Sequence, residues 1–128
     1  MKITINDNRK IFAIQEEFNS AFPYLKLEFF AKPHTVGGGS AKKLIRHSSK
    51  TLGECRTVHN KGHITITPQM TVAELEQRFS DAYGLGVQVF RKSGKVWLET
   101  TVTDSWTLEQ QNNEGESLSK MLTSRNEH

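Results

Sequence analysis

The 128-residue chain has a single cysteine, Cys55, three prolines and no apolar run near the ~20 residues a membrane helix requires. One thiol excludes a framework of internal disulfides and fits a reducing compartment. The missing apolar run speaks against a membrane partner. Met1-Lys2-Ile3-Thr4-Ile5 passes straight into polar residues, without the apolar region or cleavage pattern of a secretory leader. A cytoplasmic location is the expectation from these absences. Hydrophobic residues make up 35% of the chain and mean hydropathy is −0.56, so the core is modest and a single compact domain over residues 1–128 is expected.

What is present is unevenly placed. The net charge of +3 conceals a basic block over residues 31–63, where Lys32, Lys42, Lys43, Arg46, Lys50, Arg56 and Lys61 face only Glu54. Residues 99–128 hold six acids against Lys120 and Arg125. Such blocks mark an interaction surface, or two segments that attract each other.

The chain also resembles itself. Ile3-Thr4-Ile5 matches Ile64-Thr65-Ile66 at an offset of 61, and the offset carries Ile11 to Val72, Ile14 to Leu75, Phe18 to Phe79 and Phe22 to Tyr83. One residue further, Leu25 and Leu27 match Val87 and Val89. These are core-type positions in the same order, which predicts two pseudo-repeats over about 1–31 and 63–91.

Each copy reads as strand, helix, strand. Ile3 and Ile5 alternate with polar neighbours. A helix is predicted from about Arg9 to Phe22, capped by Asp7 or Asn8 and ended by Pro23. Leu25, Leu27 and Phe29 then alternate as a strand. In the second copy Thr71 and Glu74 form a capping box, and Val72, Leu75 and Phe79 form the buried stripe. Gly84 and Gly86 permit the turn into Val87–Phe90, and Ser93-Gly94 turns into Val96-Trp97-Leu98. A last helix starts at Thr107, with Gly115 expected to interrupt it, inside a C-terminal helix and acidic tail over about 105–128. The basic 32–62 segment connects the copies and reads either as a mobile loop or as a partly ordered excursion with one extra strand around Lys43–Arg46.

This order predicts an α+β fold: two tandem β-α-β units in a ferredoxin-like sheet, two helices on one face, an extra hairpin strand and a C-terminal helix. The Thr65–Phe90 stretch, a capping-box helix ending in an aromatic-glycine pair before an alternating strand, resembles a group of small uncharacterised bacterial proteins built from tandem units. Ser49–Glu54 and Ser105–Glu109 resemble the Thr-Leu turn that follows the unit there. That turn is also similar to one in ubiquitin-like β-grasp domains, which makes tandem β-grasp-like units the alternative fold. The resemblance implies no activity and no catalytic residue.

The chemistry-bearing residues form no recognised set. Gly37-Gly38-Gly39-Ser40-Ala41-Lys42 lacks the Gly-Lys-Ser/Thr ending of a phosphate-binding loop. Cys55, His59 and His63 are spaced four apart, with His34 or His47 as a further ligand, but Asn60-Lys61-Gly62 breaks any helix that would align them, and paired cysteines are lacking. No metal, no cofactor and no catalytic residue is expected, so the chain reads as non-enzymatic. Strand alternation instead places Phe90 and Trp97 opposite the face on which Val87, Val89, Val96 and Leu98 meet the helices. Exposed aromatics on a sheet call for a partner or a covering element, and Leu108, Leu118, Met121 and Leu122 of the last helix could supply the cover. The leading expectation is an interaction module that binds a protein partner, or itself as a homodimer, through this face. The alternative is a nucleic-acid-binding domain that uses Lys42, Lys43, Arg46, Lys50, Arg56 and Lys61 for phosphates and Phe90 and Trp97 for bases.

Overall fold

The computed structural model describes residues 1–31 and 43–126. Its elements are β1 (Lys2–Ile5), α1 (Ile11–Ala21), β2 (Leu25–Ala31), β3 (Lys43–Leu44), a 3₁₀ turn (Leu52–Cys55), β4 (Gly62–Thr65), α2 (Val72–Tyr83), β5 (Gly86–Ser93), β6 (Val96–Glu99) and α3 (Leu108–Asn126). The fold is α+β. Two antiparallel sheets form, one of β1 and β4 and one in the order β3-β2-β5-β6.

One ladder fits the ferredoxin-like arrangement and the other departs from it. β1 pairs antiparallel with β4, Ile3 opposite Ile64, and β2 pairs antiparallel with β5, Leu27 opposite Val89. In that split arrangement β1 would lie beside both β4 and β5, and β2 beside β4; among the described residues β2 pairs with β5 instead, and β1 and β4 form a sheet of their own. The alternating burial of β1 places Ile3 and Ile5 on the buried side, where Ile3 stands opposite Ile64.

One core joins all the elements except β3 and β6. Ile11, Ile14 and Phe18 form the buried stripe of α1, continued by Phe22 just past its end; Val72, Leu75, Phe79 and Tyr83 form that of α2. Between them lie Leu25, Leu27, Phe29, Val87 and Val89 from one face of the larger sheet. Phe29 meets Phe79 edge-on at 6.1 Å, and Phe18 tilts against Phe22 at 5.4 Å.

The helix ends show what local signals achieved. Thr71 Oγ1 accepts from the Glu74 N–H at 3.1 Å, as the capping box requires. α2 ends on Gly84 at φ 63°, with Leu85 N–H bonded to Phe79 O and Gly84 N–H to Ser80 O, a left-handed closure that suits glycine. α1 instead starts after Lys10 with no side-chain cap, and neither Asp7 nor Asn8 serves as one. Its first amides are met from elsewhere: Ile11 N–H donates to Lys50 O and Phe12 N–H to Ser48 O, while Leu52 N–H returns to Arg9 O. The start of α2 is closed alike, Val72 N–H to Trp106 O, Ala73 N–H to Asp104 O and Leu108 N–H to Met70 O.

α3 begins with the expected pair, Thr107 Oγ1 accepting from Gln110 N–H and Gln110 Oε1 from Thr107 N–H. It then runs through Gly115 without interruption. A Cβ there would stand 2.9 Å from Tyr24 Cβ and 3.2 Å from Lys92 O, so the glycine permits close helix–sheet approach rather than a break.

Candidate interaction face

Alternation along the larger sheet separates two faces. Leu25, Leu27, Phe29, Val87 and Val89 face the core, whereas Lys26, Glu28, Phe90, Lys92 and Trp97 lie on the other side. Phe90 and Trp97 lie on the outer face, as strand alternation predicts, but are half-buried rather than exposed. Val96 and Leu98 are not: they share the core side but stand 56% and 42% exposed. β6 is the outermost strand, and the buried layer stops at β5.

Lys26 organises the outer face. Its Nζ sits over both rings, 5.5 Å from the centroid of Phe90 and 5.0 Å from that of Trp97, and pairs with Glu28 Oε1 at 3.3 Å. Within ~6 Å a cation is drawn to the negative face of a ring, so lysine and aromatics hold one another in place. A cleft of about 420 Å³ on one side of this pair is lined by Leu44, Ile45, Arg46 and Phe90; another of about 380 Å³ is lined by Phe12, Asn19 and Trp97. Leu44 and Phe12 are exposed apolar side chains at these margins.

The expected cover is placed elsewhere. Leu108 enters the core, Met121 is 46% exposed, and α3 approaches the sheet through Gln111, Gly115 and Ser119. Arg91 Nη1 donates to Gln111 Oε1 at 2.9 Å, Gly94 N–H donates to Ser119 Oγ at 3.1 Å, and Tyr24 N–H donates to Asn112 Oδ1 at 2.9 Å. Arg91 belongs to the core side of β5. This polar seam was not legible as a contact, although the four-residue spacing of Gln111, Gly115 and Ser119 is its signature.

The basic residues divide. Arg46 joins the cleft with Phe90, and Lys43, Lys50 and Lys61 are exposed. Lys42 lies outside the described residues, as do His34 and the Gly37–Gly39 run. Arg56 cannot belong to an exposed phosphate surface: its side chain is fully buried. Its Nε and Nη2 donate to Asp7 Oδ1 at 3.1 and 2.9 Å, and its Nη1 donates to Tyr83 O at 3.0 Å. Burying a guanidinium requires such partners, which explains the placement. Asp7 Oδ2 meets His59 Nδ1 at 2.8 Å. The His59 and Arg56 contacts hold the Asp7 carboxyl below its ordinary value, against a smaller opposing effect of burial.

Cys55 is half-buried against the core, and burial pushes its thiol up, the direction away from a reactive thiolate. Among the described residues, no three His, Cys, Asp or Glu side chains come together as a metal site. No helix of the described residues is long and apolar enough to cross a membrane. Comparison of the chain with family models, curated proteins and solved structures finds no match.

Proposed function

We propose that this chain is a non-enzymatic interaction module that binds a protein partner, or itself, through the outer face of the β2–β5–β6 sheet. The carrying observation is the Lys26 ammonium shared by Phe90 and Trp97, flanked by clefts with exposed apolar margins. Aromatic anchors with a cation beside them are the residue types that concentrate binding energy in protein interfaces. The same geometry disfavours base stacking, because Lys26 already occupies the ring faces that a base would need. Burial of Arg56 removes a further cation from the nucleic-acid reading.

A finer reading of the fold accompanies this proposal: two β-α-β units, about 1–31 and 63–91, related by an approximate two-fold axis. Its support is that Ile3 pairs with Ile64 and Leu27 with Val89, residues that the offsets of 61 and 62 make equivalent. The Leu52–Arg9 and Leu108–Met70 backbone bonds are a second matching set.

The experiment is an amide and side-chain NMR concentration series, repeated with a single-stranded oligonucleotide. Self-association or protein binding through the face shifts Lys26, Phe90 and Trp97 together, and Lys26→Glu abolishes the shifts. Shifts confined to Lys43, Arg46, Lys50 and Lys61 on adding oligonucleotide, with the aromatic resonances unmoved by protein, would sink the proposal.

A further inference from the structure

We infer that the outer edge of β6 pairs with the same edge of a second copy of the chain, antiparallel and centred on Trp97. The inference rests on the reading of the chain as an interaction module. It moves the contact from the face to the adjoining edge and commits to a homodimer.

The two edges of the larger sheet are treated differently. Along β2, Gln15 Nε2 donates to Leu27 O at 2.9 Å, Asn19 Nδ2 to Leu25 O at 2.8 Å, and Ile45 N–H to Phe29 O at 2.8 Å. With β3 paired at Phe30 and Ala31, the outer side of β2 is closed, and only the two residues of β3 stand beyond it. Beyond β6 no described residue forms a ladder. The two-residue turn at Gly94-Lys95, with Gly94 at φ 65°, makes Ser93 and Val96 the bonded closing pair. Bonded pairs alternate along an antiparallel ladder, so Leu98 bonds Arg91, while Trp97 and Glu99 turn their backbone groups to the open side.

The side chains along this edge are self-complementary in one register. With Trp97 opposite Trp97 of the second copy, Lys95, the turn residue just before β6, comes beside Glu99 of the other copy, and Glu99 beside the other Lys95. Val96 and Leu98, exposed in the single chain, then face each other across the pair. Two opposite-charge pairs and two apolar pairs thus form about one two-fold axis, as an isologous contact requires. The joined sheet would run eight strands and bring both Lys26–Phe90–Trp97 platforms side by side. Charged residues also guard edges against pairing, and a guard needs no particular register. Register is what separates the two roles.

The test is sedimentation equilibrium of the full chain and three variants, Lys95→Glu, Glu99→Lys and the double exchange K95E/E99K. All the changes fall on exposed side chains, and circular dichroism checks that the fold is kept. Each single reversal sets like charges opposite each other twice in the dimer and is expected to weaken it about tenfold. The double exchange restores opposite pairs and is expected to return the dissociation constant to within about threefold of the original. A chain that stays monomeric to millimolar concentration overturns the inference, as does a dimer on which the double exchange acts like the single reversals. A dimer lost on Lys26→Glu but indifferent to all three charge variants overturns the edge and leaves the face reading standing.

Discussion

Arg56 reaches back 49 residues to Asp7, placing two of its nitrogens on one carboxylate oxygen, while His59 takes the other oxygen at 2.8 Å. This contact pins the segment after the 3₁₀ turn to the turn between β1 and α1. Nη1 of the same guanidinium closes the last turn of α2 at Tyr83 O. A residue that composition assigned to a basic surface is therefore an internal fastener.

The fastener sets an acid dependence. His59 first, and Arg56 after it, lower the Asp7 carboxyl from its ordinary 3.8. A group whose folded value is depressed contributes stability above its unfolded value and loses it as pH falls through the folded one. Urea midpoints measured from pH 6 down to 2.5 are expected to fall more gently for Asp7→Asn than for the unmodified chain below about pH 4. Superimposable acid limbs would show that Asp7 carries no linkage.

Gly115→Ala offers a test of the α3 seam. In an open helix this change gains about 1 kcal/mol from propensity. Here the added carbon meets Tyr24 Cβ at 2.9 Å and Lys92 O at 3.2 Å, and such overpacking costs about 1–3 kcal/mol. A net destabilisation of about 1 kcal/mol in urea unfolding is expected. A stabilised variant would mean that α3 can slide off the sheet at no cost.

Phe18 and Phe79 occupy fully buried positions of α1 and α2. Truncating either to alanine is expected to lower stability by about 3–5 kcal/mol. The two-fold reading adds that both losses should be alike within about 1 kcal/mol, since each ring fills the same place in its unit. A loss below about 1 kcal/mol at only one of them would break the equivalence.

Nucleic-acid binding would depend on Lys43, Arg46, Lys50 and Lys61 among the described cations. If all four met phosphates of a single strand, log affinity would fall with log salt at a slope near −2.8, about 0.7 per contact. The expected result is association weaker than micromolar at physiological salt. A tighter, salt-steep association, flattened by Arg46→Ala and Lys50→Ala, would reverse the ranking of the two functions.

Legibility in the sequence followed the range of the interaction. Ile11, Ile14, Phe18 and Phe22 betrayed α1 through spacing, and Thr71, Glu74 and Gly84 betrayed both ends of α2, because periodicity and capping act within a few residues. The ladder between β2 and β5 was not legible, since the alternating Leu25, Leu27 and Phe29 suit any neighbouring half-buried strand. Asp7 looked like a cap because its partner is 49 positions away. Gly115 looked like a breaker because nothing local reveals that Tyr24 and Lys92 press against it. Of the candidate face, strand alternation revealed Phe90 and Trp97, but not Lys26 between them.

The carbonyls of Lys50, Ser48, Trp106 and Asp104 that close the starts of α1 and α2 have a kinetic consequence. The opening amides of a helix normally lack partners and exchange with solvent deuterium within moments. Ile11, Phe12, Val72 and Ala73 are bonded across the chain instead. Their deuterium uptake is tied to the release of distant segments, so the beginnings of these helices will hold their protons longer than helix beginnings usually do.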